Sequence, residues 1–267
     1  MKKIVCLLCA SLAVLFIVGC SKKSAGDNSL QDLLARGEFV LGLDDSFPPL
    51  GFRSDSNEII GFDIDLGKEV ASRLGVKFRA QPINWDAKEQ ELATGNIDCI
   101  WNGLTITDAR KKALSFTKPY LKNAQVVVVK KNSNIKNLKD LAQKTIGLQA
   151  GSSAADAVED SVEFRKSIKS IVEFKDNITA LNDLEIGGVD AVVMDLVVAN
   201  YAISTFSKPF EVLKEGLLPE EYGIAFRKGD EKLTQKVQSI LEEMANDKTV
   251  EKISTKWFGS DITVIAK

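Results

Sequence analysis

Three stretches of this sequence combine charge with a geometry suited to gripping a small ion. In "CIWNGLTITDAR" (residues 99–110) an apolar run turns through Asn102-Gly103, crosses a segment carrying Thr105 and ends on Arg110. A guanidinium there can pair bidentately with a carboxylate through its planar fork. The same arginine also suits an ordinary surface helix, "DARKKAL", in which Lys111 and Lys112 are solvated charges. In "IGLQAGSSAADA" a strand carrying Gln149 runs into Gly151-Ser152-Ser153 and opens a helix, gathering free N–H groups and two hydroxyls at a positive helix end. A serine in that place is equally an ordinary N-cap. "VDAVVMD" closes an apolar strand on Asp195, at the exit where open α/β sheets hold ligand groups. The alternative is a cap on the helix that starts at Leu196. Asp190, at the other end of that strand, reads as a turn residue. Phe47 and Trp85 follow the first two strands, and an aromatic near a strand end can be core or the wall of a site.

The chain has 267 residues and no histidine, which removes the commonest metal ligand and the commonest general acid or base. No paired carboxylates suited to acid/base work are evident, so no catalytic set, cofactor or metal site is read. With 35 basic and 37 acidic residues the net charge is −2, without the basic footprint of a nucleic-acid binder.

The N-terminus "MKKIVCLLCASLAVLFIVGC" has a basic start, an apolar run too short for a comfortable membrane span, and the ending Ile17-Val18-Gly19-Cys20. That ending resembles a bacterial lipobox, although leucine is more usual than Ile17 at its first position. Residues 1–19 are therefore expected to be a lipoprotein signal peptide, with Cys20 lipidated and residues 20–29 a flexible polar tether. A retained N-terminal anchor is the alternative, and either way the rest of the chain is extracytoplasmic. Cys6 and Cys9 leave with the signal, so Cys99 alone remains as a thiol and is read as a buried core residue.

From Leu30 onward strand-like apolar runs alternate with amphipathic helical segments. The order is "EFVLGLD", "DIDLGKEVASRLG", "VKFRAQPI", "DAKEQELATG", "IDCIW", then, after "AQVVVVKK", a second such set through "VDAVVMD". The alternation predicts an α/β architecture with parallel, helix-covered sheets in two lobes of ordinary domain size.

Several segments, by order and spacing, resemble the family 3 extracellular solute-binding proteins, the polar amino-acid receptors of bacterial ABC importers. They are "VLGLDDSFPPLGF", "IIGFDIDLGKEVASRLG", "IDCIWNGLTITDARKKALSFTKPYL", "IGLQAGSSAADA", "VDAVVMD", and "YGIAFRKGD" to "KWFG". The resemblance implies a two-lobed type II periplasmic-binding-protein fold, with the ligand in the cleft between the lobes. Residues 30–119 plus 223–267 would form lobe 1 and 124–217 lobe 2, with hinge crossings at 120–123 and 218–222.

By the same resemblance Arg110 clamps an α-carboxylate, and Gln149, Ser152 and Ser153 complete that site on closure. Asp195 takes the α-ammonium, Phe47 and Trp85 sandwich the side chain, Asn102, Gly103 and Thr105 line the floor, and Asp44 reaches the distal end. A carboxylate at position 44 is compatible with glutamine as well as lysine or arginine. Asp45 and Asp86 add negative potential beside the aromatics, which leans toward arginine or lysine over glutamine or cystine. The expected partners are a free L-amino acid, the ABC permease with its ATPase, and the membrane through the lipid anchor. The chain is expected to be a monomer that binds no nucleic acid. Enzymes such as dehydratases, and sensors, are known on related scaffolds; the missing histidine weighs against an enzyme here.

Overall fold

The computed structural model describes residues 26–205 and 207–267. The expected signal segment, Cys20 and the first part of the tether lie outside the described residues. Among the described residues no helix is long and apolar enough to cross a membrane. Asp27 accepts hydrogen bonds from Ser29 N at 2.9 Å and from Lys232 N at 2.5 Å. The first helix, Ser29–Arg36, is thus fastened to the start of Glu231–Asn246. Among the described residues, Asp27 and Ser29 are thus already held to the body ahead of the Leu30 marked by the apolar pattern, because polar groups make this attachment.

The first sheet has the order Lys77–Pro82, Glu38–Leu43, Cys99–Ile100, Ala225–Arg227, Leu114–Phe116. Its first three strands are parallel, whereas Ala225–Arg227 runs antiparallel to both of its neighbours. The second sheet has the order Ser170–Phe174, Thr145–Gln149, Ala191–Asp195, Leu121–Lys130, Phe210–Val212, with Leu218–Tyr222 also pairing with Leu121–Lys130. Here too the first three strands are parallel and Leu121–Lys130 is antiparallel to its partners. Each sheet is therefore mixed rather than parallel throughout. The reversed strands are those by which the chain leaves one sheet for the other and returns, and a returning segment enters its sheet from the opposite end.

Alternating residues of the apolar run serve two cores. Val126 and Val128 pack with Met194, Val192 and Leu181 on one face, and Val127 and Val129 pack with Ile146, Leu148 and Phe164 on the other. Both faces are covered, which is why the strand reads as a continuous apolar run. In the first lobe, helix Phe62–Leu74 buries Phe62, Leu66, Val70 and Leu74, one residue every fourth position along a single face. Cys99, Ile100 and Trp101 are fully buried, as their sequence context predicts. Strands Glu38–Leu43 and Cys99–Ile100 of one sheet, and Thr145–Gln149 and Ala191–Asp195 of the other, lead at their C-terminal ends to residues around one cleft.

Candidate functional site

The cleft is lined by Phe47, Trp85, Gly103, Thr105, Arg110, Gln149, Ser152, Ser153 and Asp195. Nine of the eleven residues predicted for the site meet there. The other two stand one layer behind. Asp44, buried, accepts a 2.7 Å hydrogen bond from Gln149 Nε2 across the cleft and a 2.9 Å bond from Ser46 N. Asn102 accepts from Asp44 N at 3.1 Å, and its amide nitrogen is buried without a partner, so it supports Asp44 rather than lining the floor.

Helix Asp108–Ala113 presents Arg110. Thr107 caps the helix by accepting from Arg110 N at 3.2 Å, and this turns the guanidinium inward. There Nη1 donates to Thr105 O at 3.0 Å and Nη2 to Gly151 O at 3.4 Å. Burial lowers the pKa of Arg110 from its usual value, partly offset by surrounding carboxylates, including Glu220 and Asp195. Lys111 and Lys112 are exposed, and Lys111 pairs with Asp108 at 2.7 Å on the surface.

Gly103 has φ +62°, and a Cβ there would lie 2.7 Å from Leu50 Cδ1 and 3.0 Å from Phe47, so the turn needs a glycine both for its backbone and for the close approach. Its N–H donates to Asp63 Oδ2 at 2.9 Å and to Tyr120 OH at 3.1 Å, and that hydroxyl donates in turn to Asp63 Oδ2 at 2.9 Å. Asp63 is fully buried, and burial pushes its pKa up to about 7 against the pull of these donors. It is a positioning residue for the cleft turn that the sequence reading did not single out.

On the opposite wall Gly151, at φ +68°, sends its carbonyl toward the first lobe. Ser152 occupies the N-cap position of helix Ser153–Asp160, yet its hydroxyl donates to Gln149 O at 2.7 Å instead of accepting from the helix. Ser153 Oγ lies 2.9 Å from Thr105 Oγ1, a direct bond between the lobes. Gln149 is itself aligned by Asn177, whose Nδ2 donates to Gln149 Oε1 at 3.1 Å.

Asp195 does not cap the helix that follows it. Val197 N is served at 3.3 Å by Asn123 Oδ1, and the Asp195 carboxylate turns to Asn123 Nδ2 at 2.8 Å, Gln125 Nε2 at 3.0 Å and the Tyr222 hydroxyl. The register explains this: Asp195 pairs with Gln125 in the sheet, and Glu220 on the neighbouring strand pairs with Asn123. Burial, and then the charge of Glu220, raises the pKa of Asp195 well above the usual carboxylate value. In the sequence Glu220 reads only as part of the 218–222 hinge crossing. Strand alternation was the available signal, since Glu220 and Tyr222 share the buried face of Leu218–Tyr222.

Lys88 was also missed. Its side chain is 3% exposed and its Nζ donates to Gly151 O at 2.9 Å and Trp85 O at 3.2 Å, 5.2 Å from the Trp85 ring centroid. The signal was its place four residues before buried Leu92 on one helical face, where an apolar residue is expected. Lys88 changes the expected electrostatics. Asp45 is paired with Arg53 at 2.6 Å and Asp86 faces solvent, so neither gives Trp85 an unopposed acidic rim. Asp44, buried behind the cleft, has its pKa raised by burial to about 6, with Gln149 pulling it back down.

Comparison with known proteins agrees with this architecture. The model of the bacterial extracellular solute-binding proteins, family 3, matches residues 39–260. The L-cystine-binding protein TcyJ of Escherichia coli strain K12 is 31% identical over 255 residues, covering 94% of each chain. An ABC uptake transporter substrate-binding protein from Streptococcus pneumoniae with bound histidine superposes with a TM-score of 0.86 at 36% identity, covering 90% of this chain and 99% of that one. The protein Tv2483 bound to L-arginine gives 0.85 at 34% identity, covering 91% and 99%. The chain belongs to family 3 of the bacterial extracellular solute-binding proteins, with the two-lobed α/β fold of its amino-acid-binding members.

Proposed function

We propose that this chain is the lipid-anchored receptor of an ABC importer that captures a free L-amino acid, arginine foremost, and delivers it to the permease and its ATPase. It does no chemistry on the ligand. The observation that carries the reading is the convergence on one cleft of Arg110 from one lobe with Ser152, Ser153 and Asp195 from the other, beside the Asp44–Gln149 pair.

Arg110, with the N–H groups and hydroxyls of the Ser152-Ser153 turn, holds the α-carboxylate, and Asp195 holds the α-ammonium. Phe47 and Trp85 flank the side chain, and Asp44 meets its cationic end. A charged hydrogen bond contributes roughly 1.5–3 kcal/mol. A ligand bridging both lobes makes several such bonds only when they are closed, so binding shifts the open/closed balance by that difference. The arginine-bound Tv2483 supports this choice of ligand.

A second reading, cystine, is favoured by Lys88. Cystine has two zwitterionic heads and needs two cations and two anions; Lys88, 5.2 Å from the Trp85 ring centroid, adds a cation to Arg110, and Asp44, bonded to Gln149, adds an anion to Asp195. The likeness to the cystine-binding TcyJ points the same way.

The test is a thermal-shift screen of the mature chain against the common amino acids and cystine. A ligand at a hundred times its dissociation constant stabilises by about 2.7 kcal/mol. Arginine is expected to give the largest shift, and Arg110→Ala to abolish it with the fold retained. A shift by cystine alone selects the second reading, and no shift by any amino acid refutes the receptor reading.

A further inference from the structure

Asp195 and Glu220 are two buried carboxylates that share their donors. Asn123 Nδ2 reaches Asp195 Oδ1 at 2.8 Å and Glu220 Oε1 at 2.6 Å; Gln125 Nε2 reaches the same two oxygens at 3.0 and 2.9 Å. Two oxygens bound to the same amide nitrogens are near neighbours. Among the described residues the two amides and the Tyr222 hydroxyl are the donors to this pair, and they do not satisfy it. Glu220 Oε2 and Gln125 Oε1 are buried without any partner, and Glu220 as a residue is only 9% exposed. Unmet acceptors thus gather behind the part of the cleft lined by Asp195. Two like charges in a low-dielectric setting do not both ionise without a compensating cation.

Arg110 is a cation whose charge is felt by both carboxylates, but its fork donates to Thr105 O and Gly151 O and not to the pair. The remaining groups facing the pair are neutral: Asn123 and Gln125 from strand Leu121–Lys130, Tyr222 from Leu218–Tyr222, and Ser153, which accepts from Gln125 at 3.2 Å. The pKa of Tyr222 is raised well above its usual value, so it donates and adds no charge.

We propose that Asp195 and Glu220 act as one acid pair, holding a single proton between them until an ammonium group enters the cleft and takes its place, so that amino-acid capture expels a proton. The inference rests on the receptor reading above and adds Glu220 to the site as a positioning residue. The balance is simple. The free pair carries one proton and one negative charge; the ligand arrives with its ammonium protonated; the bound pair carries two negative charges against that ammonium, and the displaced proton passes to solvent. Ligand affinity then rises with pH through the range in which the free pair still holds its proton.

The experiment is titration calorimetry of the mature chain with L-arginine at pH 7 in phosphate and in Tris, whose ionisation heats differ, repeated with L-cystine and L-glutamine. Asp44, at about 6, is then about nine-tenths ionised and adds little to the proton count. The expected result is release approaching one proton per ligand in the wild type and less than half of that in Glu220→Gln. The wild-type measurement stands even if the variant folds poorly. Binding with the same heat in both buffers overturns the pair while leaving the receptor reading intact. Release unchanged in a folded Glu220→Gln assigns the proton to Asp195 alone and also overturns it. Absence of binding by all three amino acids removes the receptor reading and the inference with it.

Discussion

Asp44→Asn separates what a buried carboxylate does for the ligand from what it does to the fold. Asp44 is 7% exposed with a pKa of about 6 against an ordinary 3.8, because burial outweighs the hydrogen bonds from Gln149 and Ser46. For a carboxylate raised in this way the folded protein holds the proton more tightly than the unfolded chain. Its neutral form is accommodated without penalty below about pH 4, and stability falls as pH rises toward and through 6. The full penalty at pH 8 is about 3 kcal/mol. Asparagine removes it but can accept from only one of the two donors, which returns about 1 kcal/mol. The unliganded variant is expected to be about 2 kcal/mol more stable than the wild type at pH 8, a rise of roughly 4–8 °C in Tm, and less stable than the wild type at pH 4.

Arginine binding should move the other way. Loss of a charge-assisted bond weakens it by about 1.5–3 kcal/mol, roughly 10- to 150-fold. From pH 7 to 5 the ionised fraction of Asp44 drops about tenfold, so this part of the wild-type pH dependence should vanish in the variant. Differential scanning calorimetry without ligand and titration calorimetry with arginine, each across pH 4–8, supply both readings. A variant that melts lower at pH 8 and binds arginine as the wild type does would refute both the burial penalty and the contact.

Lys88→Met removes a 2.9 Å charged bond between the lobes, and is expected to raise the dissociation rate of the ligand roughly 10- to 100-fold with little change in association, read by stopped-flow tryptophan fluorescence. Asp63→Asn keeps an acceptor for Gly103 N and the Tyr120 hydroxyl; with the wild-type carboxyl raised to about 7, the variant should be more stable at pH 8, by up to about 4 kcal/mol, and lose that gain toward pH 4. A lower melting temperature for Asp63→Asn at pH 8 contradicts the burial argument. Gly103→Ala should cost about 1–3 kcal/mol through its positive φ and its contact with Leu50, and weaken binding further by moving the cleft turn, as denaturant unfolding and calorimetry would measure.

Much of the fold and the site was legible because the signals are local. The apolar runs at residues 38–43, 125–129 and 191–194 are strands, and the four-residue period from Phe62 to Leu74 is a buried helix face. Arg110, Gly103 and the Gly151-Ser152-Ser153 turn carry their chemistry in their types and spacing. What stayed hidden depends on partners that only the folded chain brings alongside. Asn102 has the composition of a turn residue, and only its bond to Asp44 N reveals a support role. Asp45 reads as free negative charge until Arg53 is found beside it. Lys88 reads as a surface lysine until Gly151 comes across the cleft to meet it.

The sequence by itself determined which side chains could bind a zwitterion and in what order the strands would carry them, since residue type, period and strand-end position are properties of short windows. The tertiary structure alone decided how those groups neutralise one another. Register set Asp195 against Gln125 and Glu220 against Asn123, and closure of two lobes set Lys88 and Arg110 on one carbonyl. The reason is physical: the charge state of a group depends on its burial and on neighbours within a few ångströms. For Asp195 those neighbours come from two other strands, Asn123 and Gln125 on Leu121–Lys130 and Glu220 and Tyr222 on Leu218–Tyr222.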